Sequence, residues 1–145
     1  MDYKVTTTVR VRFADLDAMG HVNHAKFFTY MEQARVAYFK KIPELDFMAH
    51  TGNPSESVIL ASIQCDFLAP ALLDQILTVG VRISSLGRSR IEMDYEIWKE
   101  NGRAPVARGK STLVYFDYQK GKSLPLPDQL IEQFEKIEER KIETA

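Results

Sequence analysis

The sequence predicts an α+β fold in which antiparallel strands are layered on one long helix. Three observations carry that expectation. Four stretches after residue 57 alternate apolar and polar side chains, the stretch from Asn23 to about Lys41 repeats its apolar residues at steps of three and four, and Asn101-Gly102 supplies a hairpin turn. With 45% hydrophobic residues in a chain of 145, there is material for one core, so a single domain over residues 1–145 is expected. Lys and Arg number 19 against 20 Asp and Glu, and this near balance leaves no global field to attract nucleic acid or an anionic membrane. The start, MDYKVTTT, has no basic start leading into an apolar run, and no stretch approaches transmembrane length. A cytoplasmic protein is therefore expected.

Val9, Val11 and Phe13 alternate with Thr8, Arg10 and Arg12, a strand with one buried face that stops at Asp15. Asn23 is a good N-cap, and from there His24, Phe27, Phe28, Met31, Arg35 and Tyr38 share a helical face until Pro43 ends the run. At 1.5 Å per residue the helix is on the order of 28 Å long. Its apolar residues cover so much of the circumference that it needs wrapping. Glu32 and Arg35, one turn apart, are placed to pair with each other or to serve a subunit contact.

Residues 44–57 read as a loop, with a helical turn around Phe47 and a surface histidine at His50. Strands follow at 58–68, 75–86, 89–99 and 105–118, which makes five with the first. Cys65, the only cysteine, shares a face with Ala61, Ile63 and Phe67 and reads as a small core residue, not a nucleophile. From Pro127 to about Arg140, Leu130, Ile131, Phe134 and Ile137 oppose Glu132, Glu135, Glu138 and Glu139, the pattern of a C-terminal helix docked on the sheet.

Polar chemistry concentrates between Arg12 and Arg35. A strand delivers Asp15 and Asp17 to a turn, and the first amides of the helix, near Asn23 and His24, lack intrahelical acceptors and carry partial positive charge. A carboxylate beside a site for a developing oxyanion is what hydrolysis of an acyl compound needs. Two plainer readings of the same residues stay open. Asp15 and Asp17 could be turn formers, or Asp15, Asp17, His21 and His24 could be metal ligands.

The run Asp17-Ala-Met-Gly-His-Val-Asn-His, with Phe27-Phe28 and Glu32-Gln-Ala-Arg35, resembles the signature of the 4-hydroxybenzoyl-CoA thioesterase branch of the hotdog-fold acyl-CoA thioesterases. Asp66-Phe-Leu-Ala-Pro70, Leu86-Gly-Arg-Ser-Arg90 and Pro125-Leu-Pro127 extend the resemblance over about residues 5–130. It implies a hotdog fold, a five-stranded antiparallel sheet wrapped around the long central helix, with a C-terminal helix. The implied activity is hydrolysis of an acyl-CoA thioester to free acid and CoA, with Asp17 as nucleophile or general base and the helix N-terminus near His24 polarising the carbonyl. No metal and no cofactor are implied, CoA being part of the substrate.

The resemblance departs at Met19, where related acyl-carrier-protein thioesterases have an asparagine, so His21 and Asn23 rank below Asp17 and His24. Leu73-Asp74 replaces a usual Gly-Asp turn. Arg88, Ser89 and Arg90 form the best local anion cluster and are the candidates for the CoA phosphates, ahead of Arg108 and Lys110. An open sheet leaves edges to be paired. The candidate edge is the strand at 58–68, and the implied assembly is a homodimer joined edge to edge, or a homotetramer. A dehydratase on this fold would need His-Phe-Pro or Asn-Pro-x-His runs, which the sequence lacks. A non-catalytic acyl-CoA-binding protein is the alternative reading, and would be expected to carry a DNA-binding or signalling domain.

Overall fold

The computed structural model describes residues 2–45 and 56–144, and the expectations for Phe47 and His50 lie outside them. In chain order the elements are β1 (Val5–Arg10), α1 (His24–Phe39), β2 (Glu56–Phe67), β3 (Ile76–Leu86), β4 (Arg90–Lys99), β5 (Pro105–Asp117), β6 (Lys122–Ser123) and α2 (Asp128–Glu138). The strands form one antiparallel sheet in the order β1-β3-β4-β5-β2, with β6 paired to β5. The sheet has six strands, not five, because two-residue β6 is too short to show a period. β2 is an edge, as expected for the strand at 58–68.

Strand periodicity locates the core. Leu77, Val79, Val81 and Ile83 of β3 and Ile91, Met93, Tyr95 and Ile97 of β4 all face α1 and are buried. Helix α1 answers with Phe27, Tyr30, Met31, Ala34, Tyr38 and Phe39. α1 packs tightly on β5 at Gly109, where a Cβ would collide with the end of the Met31 side chain. A larger residue would force Met31 to repack. Phe13, expected on the buried face of the first strand, is 81% exposed, because β1 ends at Arg10 and residues Phe13–Asp15 wind into a 3-10 turn.

β1 reaches only as far as the Val5–Val81 pair, so the Ile83 N–H beyond it has no partner strand and donates to Glu138 Oε2 of α2 at 3.0 Å. The same oxygen accepts from the Tyr38 hydroxyl at 2.6 Å. Burial and this carboxylate together push the Tyr38 phenol well above its ordinary range. The residue after α2, Glu139, has φ 58°, and its amide closes on Glu135. One buried carboxylate thus ties α1, β3 and α2 together. Glu138→Ala leaves two buried donors without an acceptor and should lower the unfolding free energy by about 2–3 kcal/mol in urea titrations. Tyr38→Phe should cost less than Glu138→Ala.

Candidate active site

The two aspartates of the turn have opposite fates. Asp15 is 1% exposed. Its carboxylate accepts from the Arg12 amide at 3.1 Å, the Arg12 guanidinium at 2.8 Å and the Tyr30 hydroxyl at 2.7 Å. Its carbonyl accepts the Asn23 amide at 2.8 Å, one residue before α1. Burial alone would raise its pKa, but the hydrogen bonds from Arg12 and Tyr30 outweigh it and hold the carboxyl at about 2. Asp15 therefore locks the end of the first strand to the helix.

Asp17, two residues on, is exposed. Its Oδ1 accepts the amides of Met19 at 2.9 Å and His21 at 3.4 Å, and its carbonyl accepts the Gly20 amide at 3.0 Å, where Gly20 takes the φ of +80° that glycine tolerates. Turn formation and availability for chemistry coexist here. The Asn23 side chain caps α1 by accepting the Ala25 amide at 2.9 Å, and the His24 amide is the first of the helix.

Asp17, His21 and His24 border one cleft of about 440 Å³, walled by Val22, Phe27, Phe67, Leu68 and Pro70. The Leu68 and Ala69 amides both donate to the Val106 carbonyl, at 2.9 and 3.2 Å, which fixes that wall to β5. Phe67 is its centre. Its ring lies 6.0 Å from the His24 imidazole, edge to face, and 5.6 and 6.4 Å from Phe27 and Phe28. In the sequence, Asp66–Pro70 stands out as a motif but carries no sign that it belongs to the site. Three aromatic residues near the helix start, facing a strand that ends in Phe67, were the available signal.

Asp15, Asp17, His21 and His24 do not assemble as ligands, since Asp15 is turned inward. No group of three or more metal-ligating side chains occurs among the described residues. Cys65 is half-buried against the core, and burial together with Asp66 pushes its thiol up to about 11. That environment suits a packed thiol better than a nucleophile.

Arg88 and Arg90 are exposed at the β3–β4 turn, while Ser89 is buried and its hydroxyl accepts from Arg88 at 3.2 Å. Arg90 reaches Glu92 at 2.6 Å. Phe67 pairs with Ala107 and Arg90 with Val114, seven residues along β5 or roughly 23 Å. Within one chain the cluster and the Asp17 cleft are therefore at opposite ends of the sheet. Arg108, on the outer face, is engaged by Glu96.

A carboxylate, a helix N-terminus and an apolar wall in one cleft on a helix-wrapping antiparallel sheet are the fittings of a thioester hydrolase with the hotdog fold. The chain belongs to the thioesterase-like superfamily, which it matches over residues 11–134. A crystal structure of a thioesterase from Thermus thermophilus, complexed with coenzyme A and Zn, superimposes with a TM-score of 0.80 at 37% identity, covering 95% of this chain and 97% of that one. Protein YsmA of Bacillus subtilis is 31% identical over 83% of this chain and 78% of its own length. The long-chain acyl-CoA thioesterase FadM of Escherichia coli is 28% identical over 90% of this chain and 97% of its own.

The low pKa of Asp15 makes acid stability a readout of the turn. Folded Asp15 titrates below its ordinary 3.8, so the stabilisation is complete above that value and lost as pH falls through about 2. It is worth about 2 kcal/mol. Asp15→Asn should remove roughly that much in urea unfolding at pH 7, and should flatten the loss of stability that the parent shows below pH 4.

Proposed function

We propose that the protein hydrolyses an acyl-CoA thioester to the free acid and CoA, with Asp17 and the N-terminus of α1 as the reacting centre. The observation that carries this is the shared cleft: the Asp17 carboxylate and the first turn of α1 border the same space, and the rest of its lining is largely apolar. The thioester carbonyl would rest on the His24 amide, where an N–H without an intrahelical acceptor and the helix dipole favour an oxyanion. Asp17 acts at the carbonyl carbon, either by attacking it to give a mixed anhydride or by taking a proton from the water that does. In both routes the thiolate of CoA leaves and takes up a proton, and in the first a water then cleaves the anhydride to release the acid and restore the Asp17 carboxylate. The acyl group lies along Phe67, Phe27 and Leu68.

The CoA portion is assigned to Arg88 and Arg90, and this requires a second subunit. β2 and β4 both run antiparallel to β5 and hence parallel to each other, so Arg90 and Glu56 mark one end of the sheet and Phe67 the other. Antiparallel pairing of two β2 edges reverses the second sheet end for end. It would carry the partner subunit's Arg88 and the partner subunit's Arg90 towards the Asp17 end of the first. The 37% identical relative solved with coenzyme A supports this choice of substrate moiety.

Thiol release from acyl-CoAs of graded chain length, aliphatic and aromatic, tests the reading. Asp17→Asn should lower kcat by about 10²-fold or more while acyl-CoA binding persists. Binding without thiol release in the parent protein would instead make it an acyl-CoA-binding protein. Arg88→Ala with Arg90→Ala should raise KM for acyl-CoA by roughly tenfold and leave kcat nearly unchanged, since phosphate contacts far from the carbonyl hold ground and transition states alike.

A further inference from the structure

Behind the cleft the interior changes character with each turn of α1. Phe27, Met31 and Arg35 follow one another at four-residue steps on the buried face of the helix. Opposite them Phe67 of β2 pairs with Ala107 of β5, Cys65 with Gly109 and Ile63 with Ser111, so helix and sheet meet in three tiers. The first tier is aromatic, with the Phe27 and Phe67 ring centres 5.6 Å apart beside the cleft. The third is polar. Arg35 is 8% exposed and donates Nη1 to the Tyr95 hydroxyl at 3.3 Å, and that hydroxyl is bonded to Ser111 Oγ at 2.6 Å. Helical spacing offers Glu32 to Arg35, but among the described residues no ion pair joins them.

Met31 forms the tier between. It is fully buried, and its thioether lies over Gly109, where a Cβ would fall 2.9 Å from Sδ and closer still to Cε. A methylene chain that enters along Phe27 and Phe67 therefore meets Met31 next. The thioether cannot retreat into the sheet, because the Gly109 backbone is already beneath it. Beyond it stands the Arg35 guanidinium, and pressing apolar atoms onto that layer would strip polar groups of their partners. Both conditions stop an acyl chain at the second tier. From His24 to Met31 is roughly 10 Å along the helix, and an extended chain advances roughly 1.2 Å per bond, which leaves room for about eight carbons between the reacting carbonyl and the thioether.

We propose that Met31, seated on Gly109, is the end stop of the acyl site, and that the substrates are straight-chain acyl-CoAs of up to about eight carbons. This rests on the hydrolase reading of the Asp17 cleft and names its substrate class.

The stop is read by kcat/KM for thiol release along a straight-chain series from butyryl-CoA to palmitoyl-CoA. The parent should peak near octanoyl-CoA and fall by roughly tenfold or more at myristoyl-CoA. Met31→Ala removes the stop and leaves the polar tier one turn further on, so its peak should move to decanoyl-CoA or lauroyl-CoA and no further. Gly109→Ala lifts the thioether off the sheet and should lower octanoyl-CoA turnover by roughly tenfold, with butyryl-CoA within about twofold of the parent. If Met31→Ala does not fold, Gly109→Ala and the parent series decide. A parent that takes palmitoyl-CoA as readily as octanoyl-CoA, a peak that stays where it was in a folded variant, or a loss equal at every length, butyryl-CoA included, each overturns the stop. Thiol release in any of these cases leaves the hydrolase reading standing. A parent that releases thiol from no member of the series ends that reading, and the stop with it.

Discussion

The buried carboxylate of Asp15 is the constraint on which the geometry of the site depends. A chain leaving β1 could enter α1 at many angles. Asp15 removes that freedom by accepting hydrogen bonds from Arg12 behind it and from Tyr30 on the second turn of the helix, while its own carbonyl fixes Asn23. With both ends pinned, Asp17 sits in a short loop and borders the same cleft as His24, the first residue of α1. Burying a charge is worthwhile here because every nearby donor converges on it.

Much of this was legible in the sequence because it follows from periodicity. The strands at 75–86 and 89–99, seen as β3 and β4, were readable from their alternation, and so were α1 and its cap. Local rules failed where tertiary contacts chose between equivalent options. Asp15 and Asp17 look alike in a turn, and only the packing of Tyr30 shows which is buried. Phe13 continues an alternating pattern but falls on a 3-10 turn, which rotates it into solvent. Helical spacing places Glu32 and Arg35 on adjacent turns, yet Tyr95, sixty residues away, offers Arg35 a hydroxyl and an aromatic face. The relation of Arg88 to Asp17 is a property of strand directions and could not be read from the motif that contains it.

The electrostatics of the cleft depend on what borders it. Phe27, Phe67, Leu68 and Pro70 bring low-dielectric walls up to the helix N-terminus, where partial charges on backbone amides act more strongly than they would in water. The His24 ring packs against Phe67 at a steep angle, with ring centres 6.0 Å apart. The outer face of the sheet has the opposite character. Arg82 with Asp94, Arg90 with Glu92, and Glu96 with Arg103 and Arg108 form a lattice of paired charges that keeps that surface hydrated.

Phe67 comes from the last residue of an edge strand, whereas the carboxylate and the amides come from a loop and a helix on the other side of the cleft. If the cleft takes an acyl group as proposed, the ring that would bound it and the groups that would act on it belong to separate pieces of the architecture. Exchanging that ring would then alter the dimensions of the chamber without touching the loop and the helix, which gives one scaffold a route to many chain lengths without rebuilding its chemistry.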